Sequence, residues 1–309
     1  MITRLMLCAA LAVPVALPAV AAQARNQQAE AANKSTVLQL SQAMLGQAPL
    51  ESLRRYFAHN LIQHDPLVGN GREAMLSWIA TQRARSPAPA LTVKHVVADG
   101  DKVLVHSQLS ATPDNEMTGQ NRYDLYRLAH GVVVERWSYA AAAPTRSASG
   151  NSAFNDAYQY ATTPAPAVTE ERQQLHRQLA TALSEEVFSK RNFGIVGRMW
   201  STGYLQHNPW LPNGRAPLQN ALPYIAPAGG SYRVVHALAE GDLAVVCAHG
   251  QQPGGNPRDE FSGYAVCDMY RMVDLEMVEH WDVSAMVPAT SANGHSMFSS
   301  VYRGNASGH

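Results

Sequence analysis

An α+β fold, built twice in one chain, is what this sequence predicts, and three observations carry the prediction. The same motifs return in the same order at a nearly constant distance. Each set of motifs opens on a stretch with helical periodicity. Each then closes on strand-like runs joined by tight turns.

The repeat comes first. LIQHDP at 61–66 returns as YLQHNP at 204–209, and Gly71-Arg72 returns as Gly214-Arg215. VKHVVADGDKVLV at 93–105 returns as VVHALAEGDLAVV at 234–246, YDLYRL at 123–128 as CDMYRM at 267–272, and VERWSY at 134–139 as VEHWDV at 278–283. Phe154 is matched by Phe298. A period of about 140 residues is too long for a solenoid unit and has the size of a whole domain. Two copies of one domain are therefore expected, over 36–161 and 172–305. TTPAPAVTEE at 162–171 forms a Pro/Ala linker between them, and 23–35 a polar, Ala/Gln-rich linker before them.

Within each copy the helices come first. Leu175, Leu179, Leu183 and Val187 recur every four residues, and Thr169 followed by two glutamates is a helix-start signal. A second short helix is expected from Phe193 to Trp200. The QH(D/N)P turn then stops regular structure at its proline, and further helices follow at 72–83 and 216–225. Four candidate strands follow in each copy, at 91–98, 102–110, 120–129 and 132–140, and at 232–239, 243–250, 261–273 and 276–285. Gly100-Asp101, Gly241-Asp242 and His130-Gly131 suit the tight turns between them. Helices followed by an antiparallel meander place the helices on one face of a curved sheet.

Composition narrows the partners. Lys+Arg and Asp+Glu balance at 24 each with no basic block, which argues against nucleic acid. The opening MITRLMLCAALAVPVALPAVAAQA has a positive residue, an apolar run and small residues near Ala22. It reads as a signal peptide over 1–22, with an exported product, periplasmic or extracellular, and no membrane association after its removal. Two cysteines then remain, Cys247 and Cys267, on neighbouring strands. Export permits a disulfide, and two buried thiols is the plainer reading. No metal-ligand spacing, nucleotide loop or nucleophile elbow is present, so neither a metal nor a cofactor is expected.

The chemistry concentrates at the last strand. Alternation puts Val278, His280 and Asp282 on one face, and Asp268, Tyr270 and Met272 share a face of the strand before it. An apolar face carrying one imidazole and two carboxylates is the lining of a pocket, or else a strand end hydrated by solvent. His207 in the QHNP turn has His64 as its counterpart. It serves either to pin the turn or to complete an acid–base pair with Asp282. Trp200 and His249 complete the expected lining. In the first copy Arg136 and Ser138 stand where the second has His280 and Asp282. The second copy is thus expected to hold the working site and the first to be scaffold.

The QHNP turn, the GD hairpin, the DxYR strand and VEHWDV followed by Asn293 to Phe298 resemble the SnoaL-like, polyketide-cyclase-like branch of the nuclear-transport-factor-2-like superfamily. The resemblance implies two tandem cone-shaped α+β barrels forming an intrachain pseudo-dimer, each with an apolar pocket for a small apolar or carbonyl-containing molecule. It also implies cofactor-free acid/base chemistry by an aspartate matching Asp282, with His207 and His280 beside it: aldol cyclisation, isomerisation or dehydration. Non-catalytic ligand binding is the alternative, and a purely structural pairing role a third.

Overall fold

The computed structural model describes residues 25–300 apart from 163, 164 and 166; the expected signal peptide and Cys8 lie outside the described residues. Two five-stranded sheets organise the chain. Helix α1 (Gln27–Met44), strand β1 (Phe57–Gln63), α2 (Arg72–Arg83), β2 (Ala90–Asp99), β3 (Lys102–Ser110), β4 (Gln120–Ala129) and β5 (Val132–Ala142) make the first half. Helix α3 (Glu170–Ser184), α4 (Val196–Met199), β6 (Trp200–Gln206), α5 (Arg215–Ile225), β7 (Ser231–Glu240), β8 (Leu243–Gln251), β9 (Tyr264–Val273) and β10 (Glu276–Met286) make the second. Strand order is β1-β5-β4-β3-β2 in one sheet and β6-β10-β9-β8-β7 in the other, so the topology is the same twice.

The expected meander strands and helices are present, with three differences. The stretch 23–35 is not a linker throughout, because α1 starts at Gln27 with Asn26 accepting the Ala29 amide as N-cap. Strands β1 and β6 add a fifth strand to each sheet by pairing in parallel with β5 and β10. Third, β10 carries a bulge between Met277 and Glu279, and β5 carries one at the same place. A bulge resets the side-chain alternation by one residue.

Each sheet buries its two faces differently. The concave face of each carries its own helices. Val37, Leu40, Met75 and Ile79 pack there in the first half, and Leu179, Leu183, Leu218 and Leu222 in the second. The other faces meet each other. Leu104, Leu125, Trp137 and Tyr139 of one sheet and Val245, Met269, Trp281 and Val283 of the other form one continuous core. The halves are thus a pseudo-dimer packed sheet against sheet. Cys247 and Cys267, directly opposite on β8 and β9, lie in this core joined by a disulfide, where free thiols were the plainer expectation.

The segments after β5 and β10 exchange. Residues following β5 cross to the second half, where Trp281 donates to the Asn155 carbonyl at 3.0 Å. Residues following β10 cross to the first, where Trp137 donates to the Ser299 carbonyl at 3.0 Å. Each crossing arm is held by the turn histidine of the half it reaches. His64 Nδ1 meets the Ser296 carbonyl at 2.7 Å and His207 Nδ1 meets the Ser152 carbonyl at 2.6 Å.

Candidate functional site

The second half encloses a cavity of about 540 Å³ between the concave face of its sheet and helices α4 and α5. Such a volume suits a drug-sized molecule. Aromatic rings dominate the wall: Phe188, Trp200, Tyr204, Trp210, Tyr232, Tyr264 and Tyr270. Gly250 makes room for one of them, since a Cβ there would come within 2.1 Å of the Tyr264 ring. The charged residues on the wall are Asp268, His280 and Asp282.

The register brings these three together. Tyr270 is opposite His280, and Asp268 opposite Asp282, across the β9–β10 ladder. His280 Nε2 lies 3.0 Å from Asp268 Oδ1, and Nδ1 lies 2.7 Å from Gln206 Oε1. Gln206 Oε1 also accepts the Asn208 backbone N–H at 3.1 Å. An N–H can only donate, so the amide orientation is fixed and His280 Nδ1 must carry a proton. The remaining proton of the group therefore sits on the line between His280 Nε2 and Asp268. Tyr232 donates to the other oxygen of Asp268 at 3.1 Å. Asp282 Oδ2 accepts from Asn208 Nδ2 at 2.8 Å, while Oδ1 has no donor among the described residues.

Burial acts on these groups in opposite senses. Removal from water raises the Asp282 pKa, and the nearby Asp268 charge adds to it, against the opposing charge of His280 and the Asn208 hydrogen bond. Burial works against the His280 imidazolium, yet the Asp268 hydrogen bond and the two carboxylate charges outweigh it and raise its pKa. Burial also pushes the Tyr204 and Tyr270 hydroxyls well above their usual range, so both remain protonated donors at neutral pH.

Of the residues anticipated from sequence, Asp282, His280, Asp268, Tyr270 and Trp200 line the cavity. The other four stand elsewhere. Met272 faces the same side but lies in the helix-packed core, opposite Met277. Val278 is displaced by the bulge, and Met277 takes its place on the concave face. His249 is on the sheet–sheet face, stacked on Phe298 at 4.3 Å with Nε2 on the Ser262 carbonyl. His207 is off the cavity as well: its ring stacks on Trp281 at 4.8 Å, and Nε2 meets Glu279 Oε1 at 3.0 Å. His64 does the same with Trp137 and Glu135. The ring of His207 is bonded to the crossing arm and to Glu279 rather than paired with Asp282. Sequence reading missed Tyr232, Gln206 and Asn208 as site groups. The last two stood in the QHNP motif, but their partners carry no signal in the chain order.

The first half has the same walls and different contents. Arg136 replaces His280 and is bonded to Asp124 at 2.7 Å, with Asp65 at 3.3 Å. Arg122 bonds Ser138, at the place of Asp282, at 2.7 Å. Both guanidinium groups lie against the face of Trp78. A smaller cavity of about 340 Å³ remains there, lined by Asp65, Trp78, Arg122 and Ser138 together with Met286 and Met297 of the other half. Among the described residues no group of three or more His, Cys, Asp or Glu side chains is placed to hold a metal ion.

Comparison with known families matches residues 38–136 to the SnoaL-like domain. Residues 38–136 are SnoaL-like. The match falls on the half with the smaller cavity; the other half repeats its strand order. A SnoaL-like polyketide-cyclase candidate from Jannaschia sp. CCS1 is 23% identical over 38% of this chain and 91% of its own, with a TM-score of 0.32. An isomerase candidate of the SnoaL-like family from Agrobacterium tumefaciens is 19% identical over 35% of this chain and 97% of its own, with a TM-score of 0.31. A ketosteroid-isomerase candidate from Kribbella flavida is 15% identical over 46% of this chain and 94% of its own, with a TM-score of 0.31. No curated protein matches the chain.

Proposed function

We propose that the second half binds a small apolar carbonyl compound and moves a proton on it without a cofactor. The observation that carries this is a carboxylate, Asp282, with one hydrogen-bonded and one open oxygen on the wall of a largely apolar cavity. Burial raises the basicity of that carboxylate, which suits a general base for a carbon acid. In the step proposed, Asp282 Oδ1 takes the proton from the carbon next to the carbonyl. The C–H electron pair moves onto the carbonyl oxygen as an enolate, and a protonated hydroxyl such as Tyr270 donates to that oxygen. The His280–Asp268 pair beside it is neutral as a whole, so it holds its own proton in place and leaves Asp282 as the base on that face. Aldol cyclisation, double-bond isomerisation and dehydration all begin with this step.

Two features support export as the setting for this activity. One is the apolar opening of the sequence, and the other is the Cys247–Cys267 disulfide, a bond that persists in oxidising compartments. No helix among the described residues is long and apolar enough to cross a membrane.

The test is carbon-acid exchange. Purified protein is incubated in D₂O with a panel of apolar ketones, and loss of the α-proton signal is followed by NMR. Exchange by the native chain that disappears in Asp282→Asn supports the proposal. Ketones that bind and protect the cavity without any exchange would leave the chain a ligand-binding protein.

A further inference from the structure

Strand β6 ends at Gln206, and the last backbone bond along that edge of β10 is His207 N–H to the His280 carbonyl at 3.0 Å. The next carbonyl on the same edge belongs to Asp282, and no strand is left to pair with it. A part-buried carbonyl in that position takes a donor from elsewhere or from water. It receives one from the other half of the molecule: Asn121 Nδ2, on β4, donates to the Asp282 carbonyl at 2.9 Å.

Asn121 is the end of a hydrogen-bonded chain. A carbonyl only accepts, so Nδ2 must face Asp282, and Asn121 Oδ1 must accept from His106 Nε2, 3.0 Å away. His106 is fully buried, and desolvation together with the neighbouring His95 pushes its pKa well down, so it is neutral and its Nδ1 is an acceptor. His95 Nδ1 stands 2.9 Å from that nitrogen and supplies the proton. His95 Nε2 in turn meets Asp156 of the crossing arm at 3.2 Å. From His95 to Asp282 every link has one donor and one acceptor, and the donors all run toward Asp282.

The chain exists once, not twice. The repeat places Ala265 where the first half has Asn121, and Cys247, tied into the disulfide, where it has His106. The half whose strand carries Ser138 in place of Asp282 thus receives no matching donor. The halves have diverged on their shared face in the same sense as in their cavities.

We propose that Asn121, backed by His106, is a positioning residue for Asp282: the half without the acid–base groups holds in place the strand end that carries them. This rests on Asp282 being the working carboxylate. Asn208 fixes one side-chain oxygen of Asp282 while Asn121 fixes its backbone, and together they set where Oδ1 points.

The experiment follows the Asp282 carboxyl by carbon NMR in full-length protein labelled at aspartate, with the resonance assigned by its loss in Asp282→Asn. In Asn121→Ala, which installs the residue the other half already has at this place, water should enter beside the freed carbonyl. The Asp282 midpoint should then move toward the ordinary carboxylate range by about half a unit or more, with cooperative unfolding retained. His106→Phe keeps a ring against Tyr123 and Phe154 and removes the donor that orients Asn121; it should shift the midpoint the same way by less. A midpoint unchanged within a tenth of a unit in either folded variant overturns the proposal. If the native Asp282 titrates in the ordinary range, the acid–base reading fails instead, and the difference between native and variant still decides the coupling.

Discussion

Replacing Asp282 by Asn should make the protein more stable at neutral pH, not less. The carboxyl pKa is raised in the folded chain, chiefly by burial, above its value in the unfolded chain. Between those two values the folded state holds a proton that the unfolded state has lost, so stability falls as pH rises through the interval. Below the unfolded value both states are protonated and the cost vanishes; above the folded value it is fully present. Each unit of difference is about 1.4 kcal/mol, and 1 kcal/mol corresponds to roughly 2–4 °C in Tm for a chain of this class. The Asn side chain keeps the shape and can still accept from Asn208. The melting temperature of Asp282→Asn minus that of the native chain should therefore be near zero at about pH 3.5, rise with pH, and level off. His280 extends the rise to higher pH. Its raised pKa contributes stability that is present at low pH and lost as pH passes its folded value, and part of that rise comes from Asp282. The variant should thus also lose stability less steeply on the alkaline side. Differential scanning calorimetry from pH 3.5 to 8.5 is the assay. A difference that is negative throughout, or flat with pH, would refute the claim that Asp282 sits in a desolvated site at a cost to the fold.

Other consequences follow from the same geometry. His64→Ala and His207→Ala should each cost about 1–3 kcal/mol in urea unfolding, and to similar extents, because each removes the histidine shared by an arm carbonyl and a buried carboxylate, the carboxylate keeping its arginine. Deleting the residues from Pro288 onward should expose Trp137 and Tyr139, read as a red shift of tryptophan fluorescence and as self-association on size-exclusion chromatography. Reducing Cys247–Cys267, which are 20 residues apart in sequence, should lower stability by about 3 kcal/mol with the fold retained under native conditions. Ligand binding should saturate at one molecule per chain, and combining Trp78→Leu with Arg136→His and Arg122→Val should open the first cavity and raise the stoichiometry in native mass spectrometry toward two.

The sequence revealed more of the fold than of the site, for physical reasons. The repeat and the change from helical to alternating periodicity are local patterns, and they located the helices and the meander. FAHNLIQ and WSTGYLQ carry exposed polar residues in mid-strand and do not alternate, so β1 and β6 were not legible. Strand parity put His280, Asp282, Asp268 and Tyr270 on one face correctly, because they lie beyond the bulge; it failed for Val278, which lies at it. The crossing arms have no regular structure, and with them the function of His207 was hidden: QHNP reads the same whether the ring faces a cavity or a neighbouring arm. Asn121 was invisible for a similar reason. A lone Asn in a strand carries no signal until the strand end it meets, 161 residues away, is known.

The two halves differ most where one of them would need to do chemistry, and the differences compensate one another. Filling the first cavity required more than losing an aspartate. Arg136 and Arg122 bring two positive charges into a buried space, and Asp124 and Asp65 neutralise them. In the second half the same positions hold Asn208 in place of Asp65 and Val266 in place of Arg122, which removes one charge of each sign and leaves His280 with Asp268. Asp282 is then the charge with no full counterion, and that is the state a general base in an apolar cavity requires. A carboxylate left in this way is costly, and its position has to be imposed by neighbours that are themselves rigid. The sheet–sheet core provides such neighbours, since Asn121 approaches from a face that is closed to solvent and already fixed by packing. On this view the first half is kept for more than solubility: without a partner sheet, the carbonyl of the working strand would be left unpaired at the point where its side chain must be aimed.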